Sequence, residues 1–160
     1  MLCYMSIGQA ERYRWYWQSE FGTFLDATHV LGFLSDSLVS HALWVTRWLQ
    51  VEKIPIMRTA YIEAVATEKI YRSRGFATSV MERVAEEIQD FELAALSPFS
   101  VAYYERLGWE LWHGPLFIRR GEELMRTPRD GDVMILRLPR TPILDLNTPL
   151  SAEWRAGDLW

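Results

Sequence analysis

Two apolar, strand-forming runs, residues 29–34 and 38–49, flank Ser35-Asp36-Ser37, and this arrangement predicts a β-hairpin whose second strand is long enough to cross a sheet. A third such run covers about residues 58–66. The period then changes at Gly75, after which Phe76, Val80, Met81, Val84, Ala85 and Ile88 form a helical stripe with Glu82, Arg83, Glu86 and Glu87 facing away. A helix over 75–89, packed by one face on the sheet, follows from that spacing. Residues 91–96 read as a strand. Ser97-Pro98 then reads as a helix start, serine at the N-cap and proline at the first helical position, with Leu107-Gly108 as its end. Residues 109–112 and 116–119 are strand material, 120–132 a polar loop, 133–138 a last strand, and 139–160 a proline-punctuated tail. Upstream, Tyr13, Trp17, Phe21 and Phe24 recur at helical spacing, giving one helix over 9–25 or two broken near Gly22. The order predicts an α+β fold with a mixed sheet and flanking helices.

Composition narrows the class. At 160 residues and 49% hydrophobic content, residues 1–160 read as a single domain with ample core. Eight tryptophans supply stacking surfaces for a pocket or interface as well as packing. A formal charge of −4 argues against general nucleic-acid binding and mildly favours a cationic partner. The single cysteine excludes an intrachain disulfide, and the three histidines form no zinc-type cluster, so no metal is expected. Neither a leader peptide nor a membrane-spanning run is legible, and a cytoplasmic location is expected without membrane contact.

The candidate chemistry centres on residues 61–81, a buried strand, a short polar loop and a helix start. Backbone N–H groups at a helix start lack intrahelical partners, and the helix dipole adds partial positive charge, so a phosphate can be held there. Gly75 allows close backbone approach, Ala77 keeps the first turn narrow, and Arg72 and Arg74 supply mobile cations. A pyrophosphate fits this description. An arginine-rich loop before an ordinary surface helix is the plain alternative. Neither a Walker glycine-lysine pair nor a dinucleotide triple glycine is present.

The spacing Arg72-Ser73-Arg74-Gly75-Phe76-Ala77 resembles the Arg/Gln-x-x-Gly-x-Gly/Ala signature of the GNAT superfamily, the acyl-CoA-dependent N-acetyltransferases. The predicted element order matches that fold from its second strand onward. The family's first strand is absent or degenerate here, residues 2–7 being its only candidate remnant. An uncovered sheet edge at that position would invite pairing with a second copy as a homodimer. Tyr103-Tyr104-Glu105-Arg106-Leu107-Gly108-Trp109 is similar to the segment whose tyrosine protonates the departing thiolate, and the match falls on Tyr104, leaving Tyr103 as core.

Further segments resemble the aminoglycoside 2′-N-acetyltransferases within that superfamily. They are Ala95-Leu96-Ser97, Gly108-Trp109, Trp112-His113-Gly114-Pro115, Arg126-Thr127-Pro128 and the ending Trp154-Arg155-Ala156-Gly157-Asp158-Leu159-Trp160, together with the Glu-x-Val strand at Glu63. The resemblance covers about residues 29–160. It implies acetyl-CoA as cosubstrate, held by Val65, Ala66, Arg72, Arg74, Gly75, Phe76, Ala77 and Thr78. It also implies a cationic aminoglycoside as acceptor, met by Ser97, Asp158 and Trp160, with the tail of residues 139–160 folded back on the acceptor site. Pro98 departs from the small polar residue usual at its position.

Acyl transfer to an amine needs a held thioester, a neutral amine and a proton for the leaving thiolate. Glu63 interrupts an apolar strand, where an unpaired carboxylate is expensive, and by alternation it shares a face with Tyr61 and Val65. Functionally it is the base, directly or through water; structurally it is a carboxylate bonded to a neighbouring arginine. Tyr104 is the acid by resemblance, and both tyrosines are packing residues by the plain alternative. Ser97 equally caps a helix, Asp158 equally sits in a solvated turn, and Trp160 equally plugs a hydrophobic gap. His41 and His113 have the side chain of a base, but lone histidines in strands are more often structural. The same residues also suit a GNAT enzyme for another small amine or a peptide, or a catalytically impaired module that binds CoA or antibiotic.

Overall fold

The computed structural model describes residues 2–5, 27–127, 131–156 and 159–160. Among these, ten strands and two α-helices occur in the order β1 (Leu2–Met5), β2 (Thr28–Leu34), β3 (Ser37–Val51), β4 (Met57–Thr67), α1 (Phe76–Glu87), β5 (Leu93–Leu96), α2 (Val101–Glu105), β6 (Glu110–Leu111), β7 (Leu116–Arg120), β8 (Glu123–Arg126), β9 (Met134–Arg137) and β10 (Leu150–Glu153). The expected helix over 9–25 lies outside the described residues. Contacts divide the chain into two compact units, residues 1–45 with 62–88 and residues 46–61 with 89–160, and the division falls inside β3 and β4.

In the first unit, β2 and β3 form the expected antiparallel hairpin, with Leu34 opposite Ser37 and Ser35 at a positive φ in the turn. β1 pairs antiparallel with β2, Leu2 opposite Gly32 and Met5 opposite His29. Residues 2–5, within the candidate remnant of a first strand, are therefore a strand paired with β2. α1 lies against β2. Its buried residues Val80, Met81 and Val84, followed by Ile88, are the core of the predicted stripe, while Glu82 and Glu86 are exposed. Burying four such side chains contributes roughly 1.5–3 kcal/mol each relative to exposure, which is what fixes this helix on the sheet.

The second unit carries the strand order β6-β9-β5-β4-β3-β10-β7-β8. β5–β9, β6–β9, β3–β10 and β7–β8 are antiparallel and β10–β7 is parallel, so the sheet is mixed as expected. Leu93–Leu96, Met134 and Ile135, Ile118, Leu150 and Ala152 are buried and form its core.

Three local expectations are corrected. Ser97 does not cap a helix, because α2 begins at Val101 after an extended Ser100, and the Ser97 hydroxyl donates instead to the Asp132 carbonyl at 3.2 Å. The exit of that helix is as expected, with Gly108 at φ +85 and the Trp109 N–H returned to the Tyr104 carbonyl at 3.2 Å. Residues 120–132 are not all loop, since β8 returns antiparallel to β7 around Gly121 at φ +62. Residues 133–138 do not hold the last strand either. The tail contributes β10, which pairs with both β3 and β7.

Candidate active site

The first unit holds the predicted phosphate turn. β4 ends at Thr67, a 3₁₀ turn covers Lys69–Tyr71, and the loop reaches α1 through Ser73 at φ +59 and Gly75 at φ +84. The first helical bond is Ser79 N–H to the Gly75 carbonyl at 2.9 Å, so the N–H groups of Phe76, Ala77 and Thr78 have no acceptor within the helix. No side chain caps this end and no acidic residue occupies its first turn. The φ of Gly75 is one that only glycine adopts at low cost, and the space where a side chain would stand is open. This donor set fits a pyrophosphate. Arg72 and Arg74 are exposed; Arg72 Nε donates to the Thr67 carbonyl at 3.1 Å, and the Arg74 guanidinium lies 5.7 Å from the centre of the Tyr71 ring.

Glu63, Ala64 and Val65 are half-buried on β4, just upstream of that turn, and Ala66 is exposed. Ala64 stands at φ +52, a conformation that costs a non-glycine residue about 1–3 kcal/mol unless its surroundings enforce it. The strand is therefore kinked between Glu63 and Val65, and the simple alternation expected to align their side chains does not run through it unbroken.

Polar groups of β2 and β3 meet this kink. His41 Nδ1 lies 3.0 Å from the Ala64 carbonyl, and His29 Nδ1 lies 2.9 Å from His41 Nε2. A carbonyl only accepts, so His41 carries its proton on Nδ1 and accepts from His29 Nδ1–H. His41 is 1% exposed, and burial, reinforced by the charge of His29 and opposed by the bond to Ala64, takes its pKa down to about 3. It is thus neutral at working pH and a poor base, in line with the structural reading. Unfolded, the same imidazole titrates near its ordinary 6.5. Between those values the unfolded chain binds more protons than the folded one, so stability is lost as pH falls from about 6.5. From about pH 7 to about pH 5 the expected loss from this residue is about 2 kcal/mol, measurable by denaturant unfolding. His41→Asn, which does not titrate, is expected to remove most of that slope.

The second unit holds Tyr104, Ser97 and Trp160. Tyr104 is 2% exposed on α2, packed edge-on against Phe99, Tyr103 and Trp109 with ring centres 5.5, 4.9 and 6.1 Å away. Burial, with a smaller contribution from Tyr103, raises its pKa well above the ordinary phenol value, so it stays protonated. The Tyr103 hydroxyl is buried without a hydrogen-bond partner.

A cavity of about 250 Å³ is lined by Trp112, His113, Pro115, Arg126, Thr127 and Asp132, among others. Two predicted acceptor residues reach its wall. Ser97 bonds to Asp132, and Trp160 Nε1 donates to Thr127 Oγ1 at 3.2 Å. Asp158 lies outside the described residues. Arg47 was not singled out by sequence, yet it ties down the chain's final segment. It is 1% exposed, donates to the Leu159 carbonyl at 2.7 Å and the Glu153 carbonyl at 2.8 Å, and pairs with the Glu153 carboxylate at 3.3 Å. A buried guanidinium needs such partners, and the only sequence signal was an arginine in an otherwise apolar stretch of β3.

Residues 7–112 match the family model of the acetyltransferase (GNAT) domain. The chain belongs to the GNAT acetyltransferases, which use acetyl-CoA. Among curated relatives, the aminoglycoside 2′-N-acetyltransferase of Mycolicibacterium fortuitum is 33% identical over 153 residues, covering 87% of this chain and 78% of that protein. The fold is similar to that of the GNAT-family YhbS of Escherichia coli, whose structure is a complex with CoA, at 15% identity and TM-score 0.55 over 92% of this chain and 76% of that one. It is also similar to Eis1 of Mycobacterium abscessus, at 20% identity and TM-score 0.57; 72% of this chain is covered, but only 31% of Eis1, so the chain spans about a third of that protein. No helix among the described residues is long and apolar enough to cross a membrane.

Proposed function

We propose that this chain, acting as one domain in the cytoplasm, transfers the acetyl group of acetyl-CoA to the 2′ amine of an aminoglycoside and so confers resistance. The observation that carries the reading is that Ser97 and Trp160, far apart in sequence, each bond to a residue of one cavity wall. The relative from M. fortuitum, whose match takes in 87% of this chain, supports the substrate class.

In this reading the helix start at Gly75–Thr78, with Arg72 and Arg74, holds the pyrophosphate, and Val65 and Ala66 on β4 align the acyl arm. The cosubstrate supplies an activated acyl thioester. Glu63 takes one proton from the acceptor ammonium, directly or through water; the freed amine bonds to the acyl carbon as the carbon–sulfur bond breaks, Tyr104 Oη gives its proton to the departing sulfur, and the second proton shed by the nitrogen as the amide forms restores the phenol. Ser97, Asp158 and Trp160 meet the acceptor, whose ammonium groups suit a chain of formal charge −4.

Thiol release from acetyl-CoA with a panel of aminoglycosides, kasugamycin included, tests the assignment. Acetylation of at least one panel member at its 2′ amine is expected. In the same assay Gly75→Asp, which sets a carboxylate against the phosphates, should lose acetyl-CoA binding in calorimetry while remaining folded. Thiol release with none of the panel but with a peptide amine would overturn the substrate class and leave the family standing.

A further inference from the structure

We infer that His41, locked by His29, is a positioning residue that holds β4 in its kinked form beside Glu63. The inference rests on the proposed role of Glu63 as base. Three facts in the first unit carry it. Ala64 takes a backbone conformation that disfavours any side chain, one residue after Glu63 and one before Val65. Its carbonyl accepts from a histidine that is almost wholly buried, and that histidine's other nitrogen is engaged by a second histidine across the β2–β3 pair. Two residues further on, the Ser40 hydroxyl donates to the Ala66 carbonyl at 3.1 Å and lies 2.9 Å from Thr67 Oγ1. Side chains of β3 thus fix the backbone at alternate carbonyls along the part of β4 that carries the proposed base and the proposed acyl-arm contacts.

A strained residue persists only where its surroundings over-determine it. Here the determinant is chemical and directional. The Ala64 carbonyl requires a donor at the Nδ1 position, and burial of His41 keeps the ring neutral, so a proton on Nδ1 leaves Nε2 bare. The His29 N–H fills that acceptor. Without the pair, Ala64 would relax toward ordinary extended φ, and Glu63 would be carried out of line with the acceptor amine.

The asparagine side-chain nitrogen stands where histidine Nδ1 does, whereas the glutamine nitrogen stands where Nε2 does. His41→Asn is therefore expected to keep kcat within about threefold, while His41→Gln and His41→Phe lose between about tenfold and a hundredfold. Ala64→Gly is the decisive partner, because glycine adopts the positive φ unaided. In the double variant Ala64→Gly with His41→Phe, the further cost of losing His41 should shrink at least threefold. ¹⁵N NMR of the unmodified protein should show His41 protonated on Nδ1. The Nε2 tautomer, equal losses in the Asn and Gln variants, or independent costs at His41 and Ala64 would each overturn the positioning role. Full activity in Glu63→Gln would instead remove the base assignment, and the tautomer and the His41–Ala64 coupling would still judge the positioning role by itself. Should His41→Phe fail to fold, the Asn and Gln pair and the NMR measurement decide.

Discussion

Glu63→Gln and Tyr104→Phe are each expected to lower kcat by ~10²–10⁴-fold while leaving acetyl-CoA affinity within a few-fold of the parent, as removal of a general base or acid does. The two substitutions keep shape and remove one proton-transfer step, so a loss in kcat without a loss in binding separates chemistry from collapse. Burial makes Tyr104 a weaker acid than a free phenol but also keeps its proton in place across the working range. It can therefore donate only as negative charge builds on the sulfur, and an alkaline limb in the rate profile near neutral pH should not disappear in Tyr104→Phe. Tyr103→Phe is the control. Its hydroxyl is buried with no partner, so its removal relieves an unsatisfied group and should leave kcat unchanged and stability equal or higher. A damaging Tyr103→Phe with a silent Tyr104→Phe would exchange the two roles.

Features set by neighbouring residues were legible in the sequence. The β2–β3 hairpin could be read because both strands are strand-forming runs either side of a polar turn. α1 could be read because its stripe and its glycine start agree in period and position. The phosphate turn is the same kind of feature, since the geometry that leaves three N–H groups without acceptors within the helix is made by the residues between Thr67 and Ser79 themselves.

What escaped the sequence depends on partners far along the chain. Leu150–Glu153 has no strong strand signal after the prolines before it, and becomes a strand because β3 and β7 offer it two edges. Ser97-Pro98 carries a genuine helix-start signal, but the Ser97 hydroxyl is taken by a carbonyl 35 residues away, and the helix begins later. Glu123–Arg126 looked like loop because it is only four residues long, two of them charged, and lies in an otherwise polar stretch; three of the four are exposed, as suits a sheet edge. The pairing of His41 with Ala64, 23 residues apart, and the buried Arg47 bonded to Leu159 leave no periodic trace at all. The candidate site was thus legible by residue type and motif, while the contacts that hold it were not.

Gly114→Ala is expected to be strongly destabilising. A Cβ at this position would stand 1.9 Å from the Thr148 carbonyl oxygen, 2.6 Å from its carbon and 2.9 Å from the Asn147 carbonyl carbon. All three are backbone atoms, so no side chain can swing aside. Nor can the turn retreat easily. The N–H groups of His113 and Gly114 both reach the Leu146 carbonyl at 2.9 Å, Trp112 Nε1 holds the Thr148 carbonyl at 3.0 Å, and Thr148 Oγ1 is bound to the Asp145 carbonyl at 2.8 Å. The methyl group must break several of these bonds or push the two segments apart, at a cost of more than about 3 kcal/mol. For a chain of this size that corresponds to a fall in Tm of roughly 6–12 °C. Because residues 111–116 also line the cavity that Ser97 and Trp160 reach, any folded Gly114→Ala protein should show a raised acceptor KM with acetyl-CoA binding retained. Gly121→Ala supplies the comparison: its φ is positive but the space around it is open, so it bears only a conformational cost of about 1 kcal/mol. Thermal unfolding of both variants separates the two effects. If Gly114→Ala melts no lower than Gly121→Ala, the segment around Asn147 and Thr148 yields freely, and close backbone contact is not what the Trp112-His113-Gly114-Pro115 motif provides.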